Sequence, residues 1–214
     1  AASASLVLPV AMSTLIQIFA KAAIAGQVKT RLARDLGAAA ALDIHCRLCR
    51  QVVAQACAAQ ADAVEIWAAL DVHDPFLNSF NLPVLEQQGR ELGTRMDFAL
   101  RHGLARHQRV IIVGADAWSL RADYLQQALT ALQQCDVVIG PAQDGGYVLV
   151  GARTSMPALF RNIPWGTADV MAATLQVLLS NMISFEILAE RWDIDTLDDI
   201  HRNAPELLPP DQSR

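Results

Sequence analysis

The chain has 214 residues, 53% hydrophobic and 18% charged, with a net charge of −5. That length fits one domain with its own core, and the composition is globular and not disordered. The acidic balance argues against general nucleic-acid binding. No apolar run is long enough to span a membrane, because Lys21, Lys29 and Arg31 interrupt the N-terminal one. Neither nucleic acid nor a membrane is therefore expected as a partner.

Residues 1–11 have a short apolar part and lack the basic start of a secretory leader. They read as an N-terminal extension, with the domain over 12–205 and a Pro-containing tail over 206–214. Residues 15–20 (LIQIFA) form a strand, and a small-residue loop follows. A helix opens near Lys29-Thr30-Arg31, and an Ala-rich helix covers 37–60 after Gly37. Residues 63–70 are a second strand, DPFLNSF a turn or short helix, and 82–86 a short third strand. A helix spans 92–106, with Leu92, Met96, Ala99, Leu100 and Leu104 on one side. RVIIVG at 109–114 is a strand buried on both faces. A helix at 121–134, strands at 136–140 and 147–152, a helix near 167–180 and a strand at 184–189 follow. A short helix after Asp195 closes the chain. Alternating helices and apolar strands predict a single α/β domain, a mostly parallel sheet sandwiched by helices.

Cys46 and Cys49 have zinc-like spacing, but a structural zinc site needs four ligands and no second pair is present. Leu42, Cys46, Cys49, Val53 and Cys57 instead recur as one helix face, where cysteine acts as a small hydrophobe. Reduced cysteines of this kind fit a cytoplasmic protein.

Ligands of such sheets bind where loops leave the carboxyl ends of the strands. Four loops there carry polar chemistry. The first places Lys21, Gly26, Lys29 and Arg31 at a helix start. It is not a Walker A loop, since Gly26 stands alone and Val28 precedes Lys29. Its cations suit a diphosphate, or are surface charges. In GADAWSL, Asp116 follows the strand at 109–114 and is a candidate ligand for a hard divalent cation, or a cap. In GPAQDGGY, Asp144, Gly145 and Gly146 make a turn that also allows close backbone approach to a sugar or acceptor. In DIDTLDD, Asp193, Asp195, Asp198 and Asp199 crowd a helix start, where capping competes with a second carboxylate for the divalent site.

Together these segments resemble a known family. FAKAAIAGQVKTRLARDLG is similar to its opening F-x-K-x-P-x-P-G-x-V-K-T-R-L, QQGRELGTRM to Q-x-G-x-L-G-x-R-M, and GADAWSL to G-x-D-x-P-x-L. GPAQDGGYVLVG and DIDTLDDI match with little change, and LFRNIPWGTADV resembles I-x-W-x-T. The family is the rSAM/selenodomain-associated transferase type, a glycosyltransferase-like branch of the nucleotide-diphospho-sugar transferases. The resemblance runs from about Leu15 to Ile200. It implies a Rossmann-like GT-A fold and an enzyme that passes a sugar from a nucleotide-diphospho-sugar to a small acceptor, assisted by Mg²⁺ or Mn²⁺. By matching motif, Lys21, Gly26, Lys29 and Arg31 would face phosphates, and Gln88, Gly93 and Arg95 would support the nucleotide. Asp116 would be the main metal ligand and Asp195 a second, with Asp116, Asp144 and Lys29 as the catalytic set. Trp118, Gly145, Gly146, Tyr147 and Trp165 would border the sugar or acceptor. Two alternatives remain open: a nucleotidyltransferase joining an NTP to a phosphorylated small molecule, and a non-catalytic nucleotide-binding protein. A homodimer is compatible with all three. The chain departs from the family at Ala23 and Ala25, where prolines are expected, and at Trp118, which replaces a third.

Overall fold

The computed structural model of the chain describes residues 13–208. The expected extension over 1–11 and the end of the tail lie outside them. The chain order is β1 (Thr14–Lys21), α1 (Thr30–Leu36), α2 (Ala38–Ala58), β2 (Ala63–Ala69), α3 (Pro75–Asn78), β3 (Val84–Glu86) and α4 (Leu92–Leu104). It continues with β4 (Arg109–Gly114), α5 (Ala122–Ala131), β5 (Val137–Pro141), β6 (Tyr147–Ala152), α6 (Val170–Ser180), β7 (Phe185–Ile187) and α7 (Leu197–Asn203).

The described strands form one sheet in the order β3-β2-β1-β4-β6-β5-β7. Only β6 runs against its neighbours β4 and β5. The sheet is thus mostly parallel and covered by helices, as the alternating pattern predicts. Strands β1 and β4 lie at its centre. Leu15, Ile16, Ile18, Val110, Ile111 and Val113 are fully buried, which explains why these segments read as unbroken apolar runs. Alternate residues face opposite layers. Ile16 and Ile18 pack towards α2 and α5, with Val52, Ala56, Leu125 and Ala128. Leu15 packs towards α4 and α6, with Met96, Leu100 and Leu178. A third cluster joins α1, α2 and α7 through Leu32, Ile44, Leu48, Ile194 and Ile200.

The buried face of α2 differs from the cysteine-centred one. It runs through Ala41, Ile44, His45, Leu48, Cys49, Val52, Val53 and Ala56. Cys57 is exposed and Cys46 half-buried. The helix must meet both the sheet and the third cluster, so its apolar stripe is wider and rotated towards Ile44 and Leu48. The helix expected near 167–180 starts at Val170. Before it, the Thr167 hydroxyl donates to the Pro164 carbonyl (2.8 Å), forming a turn.

From β1 the chain moves outward through β2 to β3, then returns to β4 on the other side of β1. The loops after β1 and β4 therefore diverge and leave a crevice between them at the carboxyl edge. Phe19 pairs with Gly114, which puts the Lys21–Lys29 loop beside Asp116.

Candidate functional site

A cleft of about 680 Å³ opens at this edge. Lys21, Lys29, Arg31, Asp116 and Asp195 line it from the β1 and β4 ends, Arg95 from α4, and Asp144, Gly146, Tyr147 and Trp165 from the opposite side. Ten of the expected site residues, drawn from Lys21 to Asp195, thus meet around one cavity.

The first loop is held at several points. The Ala22 amide donates to Ala69 O (2.9 Å), and the Ala23 amide to Asp74 Oδ2 (3.2 Å). Asp74 Oδ1 meanwhile caps α3 by accepting from the Leu77 amide (2.8 Å). His45 Nε2 donates to the Lys21 carbonyl (3.0 Å) from α2. Burial, more than the nearby charges, keeps the His45 pKa below its usual value, so the ring is a neutral donor here.

Lys29 ends the loop as the N-cap of α1, in the left-handed region at φ 44°, ψ 48°. Its side chain is buried and turned into the fold. Nζ donates to Ile194 O (2.6 Å) and to Asp116 Oδ2 (3.0 Å), and lies 3.8 Å from Asp195 Oδ1. Arg31 Nη1 reaches the other oxygen of Asp195 at 2.7 Å. Burial alone would lower the Lys29 pKa, but Asp116 and then Asp195 outweigh it and raise it above the usual value. Burial likewise pushes the Asp116 carboxyl up, and the Lys29 charge and hydrogen bond hold it below the usual carboxylate range. Gly114 leaves room for this carboxylate, because a Cβ there would stand 2.7 Å from Asp116 Oδ1.

DIDT docks onto the same turn. The Ile194 amide donates to Asp116 O (3.2 Å), and Ser119 Oγ exchanges hydrogen bonds with the Trp192 backbone. Asp199 Oδ2 accepts from the amides of Asp195 (3.1 Å) and Thr196 (2.7 Å), completing a capping box on α7. The acidic cluster therefore divides: Asp199 caps, Asp198 faces solvent, and Asp193 and Asp195 line the cleft.

On the far side, Asp144 Oδ1 accepts from the Gly146 amide (2.9 Å), closing the tip of the β5–β6 hairpin. Gly145 has φ 88°, and a Cβ there would collide with the Ala168 carbonyl. Its own carbonyl accepts from the Met171 amide (2.9 Å). The hairpin tip is thus packed directly on the segment carrying Trp165. The indole stands edge-on to Tyr147, with centroids 6.0 Å apart, and presses on Gly93 of α4 so closely that any Cβ there would meet its nitrogen.

Five expected residues do not line the cleft: Gly26, Gln88, Gly93, Trp118 and Gly145. Gly26 supplies a positive φ in an open part of the loop, whereas Gly93 and Gly145 make close approaches behind the wall. Gln88 is exposed and donates to Glu86 (3.1 Å); its neighbour Gln87 faces the cleft, anchored on Trp67 O (2.8 Å). Trp118, expected at the mouth, packs instead against the third cluster, where its ring loses more contact with water. His45 carries no signal in the sequence, and Asp193, named in the acidic cluster, is not singled out there from its neighbours. Burial and the neighbouring Asp116 charge push the Asp193 carboxyl up to about 7.

The donors expected to hold Mg²⁺ or Mn²⁺ are oxygen ligands of the right type. As arranged, however, the Lys29 ammonium already bridges Asp116 and Asp195. Among the described residues no three His, Cys, Asp or Glu side chains converge as a metal-holding group. The pair in this arrangement does not fit a bridging divalent ion. Among the described residues, no helix is long and apolar enough to cross a membrane.

A family model described as an uncharacterized protein conserved in bacteria (DUF2064) matches residues 39–167. No curated protein sequence matches the chain. Among solved structures, one similar chain is a provisionally named nucleotide-diphospho-sugar transferase from Desulfovibrio desulfuricans. It is 29% identical with a TM-score of 0.81, over 89% of this chain and 87% of that one. The inositol-1-phosphate CTP transferase from T. maritima is 13% identical with a TM-score of 0.62, over 92% of this chain and 95% of its own. Rv0371c from Mycobacterium tuberculosis, solved with manganese, is 14% identical with a TM-score of 0.52, over 91% and 98%. The last two share the fold alone.

Proposed function

We propose that this chain, which belongs to the DUF2064 family of proteins conserved in bacteria, is a transferase whose donor is a nucleotide-diphospho-sugar and whose acceptor is a small molecule. One observation carries this reading. Lys21, Lys29 and Arg31 gather at the switch point of a doubly wound sheet, across a cleft from a glycine-rich hairpin tip and Trp165. A diphosphate would lie along the cationic side, where Lys21 and Arg31 meet the negative charge that develops on departure. Asp116 acts through Lys29, which it orients and keeps charged. Gly146 and the Tyr147–Trp165 pair offer a narrow, half-apolar surface for a sugar ring. Asp144 and Asp193 face the cleft as proton acceptors for an attacking hydroxyl. Asp193, poised near 7, is matched to neutral pH. Because the carboxylate pair does not fit a divalent ion as arranged, no step here depends on one.

Attack at the α-phosphate of an NTP is the second reading, favoured by the fold shared with a CTP transferase. Calorimetry with nucleoside diphosphates, nucleotide sugars and NTPs tests both. The proposal expects binding of a diphosphate-bearing nucleotide that Arg31→Ala weakens, with sugar transfer and no pyrophosphate. Pyrophosphate release without sugar transfer selects the second reading, and no nucleotide binding at all sinks both.

A further inference from the structure

We propose that the Lys29 ammonium is the resident cation of this site, holding the place between Asp116 and Asp195 that a divalent ion would otherwise take. The idea deepens the transferase reading and rests on it only for its consequence, that an incoming diphosphate is met by protein cations.

Three observations lead to it. The ammonium is a hydrogen-bond donor with three N–H groups, and it faces three oxygens: Ile194 O at 2.6 Å, Asp116 Oδ2 at 3.0 Å and Asp195 Oδ1 at 3.8 Å. A magnesium ion wants about six oxygens in octahedral array and gives up its water reluctantly. The Lys29 side chain is only 6% exposed, and its ammonium stands between the two carboxylates where such an ion would bridge them. The second observation is the backbone. A left-handed lysine is uncommon and strained, so it persists only when its surroundings demand it. The conformation turns the chain into α1 while the side chain enters the cluster, and Ala33 N closes the first helical turn on Lys29 O (2.8 Å). Charge is the third. Asp116 and Asp195 are balanced by Lys29 and Arg31, so the cluster is close to neutral before any ligand arrives. A divalent ion added to it would meet a cation already at its centre.

The experiment is Mn²⁺ uptake by the full, nucleotide-free chain, followed by electron paramagnetic resonance, for wild type, Lys29→Met and Asp116→Asn. Wild type is expected to leave added Mn²⁺ free. Lys29→Met is expected to bind it at least about tenfold more tightly, the equivalent of ~1.4 kcal/mol. Mn²⁺ bound by wild type and lost in Asp116→Asn overturns the proposal, and so does a folded Lys29→Met that gains none. Should Lys29→Met not fold by circular dichroism, Lys29→Gln carries the same expectation, and the wild-type comparison with Asp116→Asn decides on its own. Binding of UDP, CDP and GDP in EDTA separates this from the transferase reading. Absence of nucleotide binding with and without Mn²⁺ defeats that reading and leaves the metal result standing.

Discussion

Asp193 should make the protein less stable as pH rises, and replacing it should remove that dependence. Its carboxyl sits half-buried beside Asp116, and its pKa is raised from 3.8 to about 7. Between these values the folded chain holds a proton that the unfolded chain has released, so stability falls with rising pH. Below about 4 both states are protonated and the group contributes nothing; above about 7 both are ionised and the full penalty applies. Moving the carboxyl from 3.8 to about 7 corresponds to about 4 kcal/mol as an upper bound. Water reaching the cleft reduces this, so about 1–2 kcal/mol is the expected size. Asp193→Asn should therefore come nearest to wild type at about pH 4 and below, gain on it steadily between about pH 4 and 7, and exceed it by that amount near pH 8.5. Urea unfolding at several pH values measures the difference. A difference that stays flat with pH, or in which the variant loses stability as pH rises, refutes the reasoning.

Other substitutions probe the supports of the cleft. Gly145→Ala places a methyl group in the Ala168 carbonyl at a positive φ; it should lower the melting temperature and shift the Trp165 fluorescence, and an unchanged spectrum would count against that packing. Arg106 donates to both oxygens of the buried Glu65, which also accepts from Gln17 (2.9 Å) and Trp67 (2.8 Å). Arg106→Ala should cost about 1–3 kcal/mol in urea unfolding, discounted because the arginine is part-exposed. Ala23→Pro restores a residue type expected from the resemblance but deletes the amide that binds Asp74. It should destabilise by about 1 kcal/mol despite the stiffer chain, and a gain in stability would show that this hydrogen bond contributes little.

The central strands were legible because burial on both faces removes the need for polar alternation, as in LIQIFA and RVIIVG. The cleft was legible as four separate loops, since strand ends in such a sheet share one edge. Their connections were not. Lys29 and Asp116 are 87 residues apart, and Arg31 and Asp195 164 apart, so no local pattern reports that their charges pair. Motif matching selects Gln88 although Gln87 faces the cleft, because it does not say which of two adjacent residues points inward; after a strand that choice alternates. Motif matching puts Trp118 beside the sugar or acceptor because it stands where the family has a proline, but the turn sends the ring towards the third cluster, which holds Leu32 and Ile194. Asp199 and Asp195 look alike in sequence, and only the helix start at Thr196 separates a cap from a cleft residue.

The two alanines in the first loop show how one role is filled by different physics. Proline would limit the backbone there and donate nothing. In this chain the Ala23 amide is spent on Asp74, whose other oxygen caps α3, so the loop and a neighbouring helix are fixed by one side chain. His45 adds a hold on the Lys21 carbonyl from α2, and Lys29 secures the far end through Asp116 and Ile194 O. The loop is thus anchored at both ends, by groups drawn from α2, the cap of α3 and the segments after β4 and β7. Each of these anchors is polar and sits near the cleft, so a bound anion and the loop compete for some of the same charges. Arg31, with most of its side chain in solvent, and Lys21 are the cations with the least structural duty. They are the ones a diphosphate can recruit without releasing the loop.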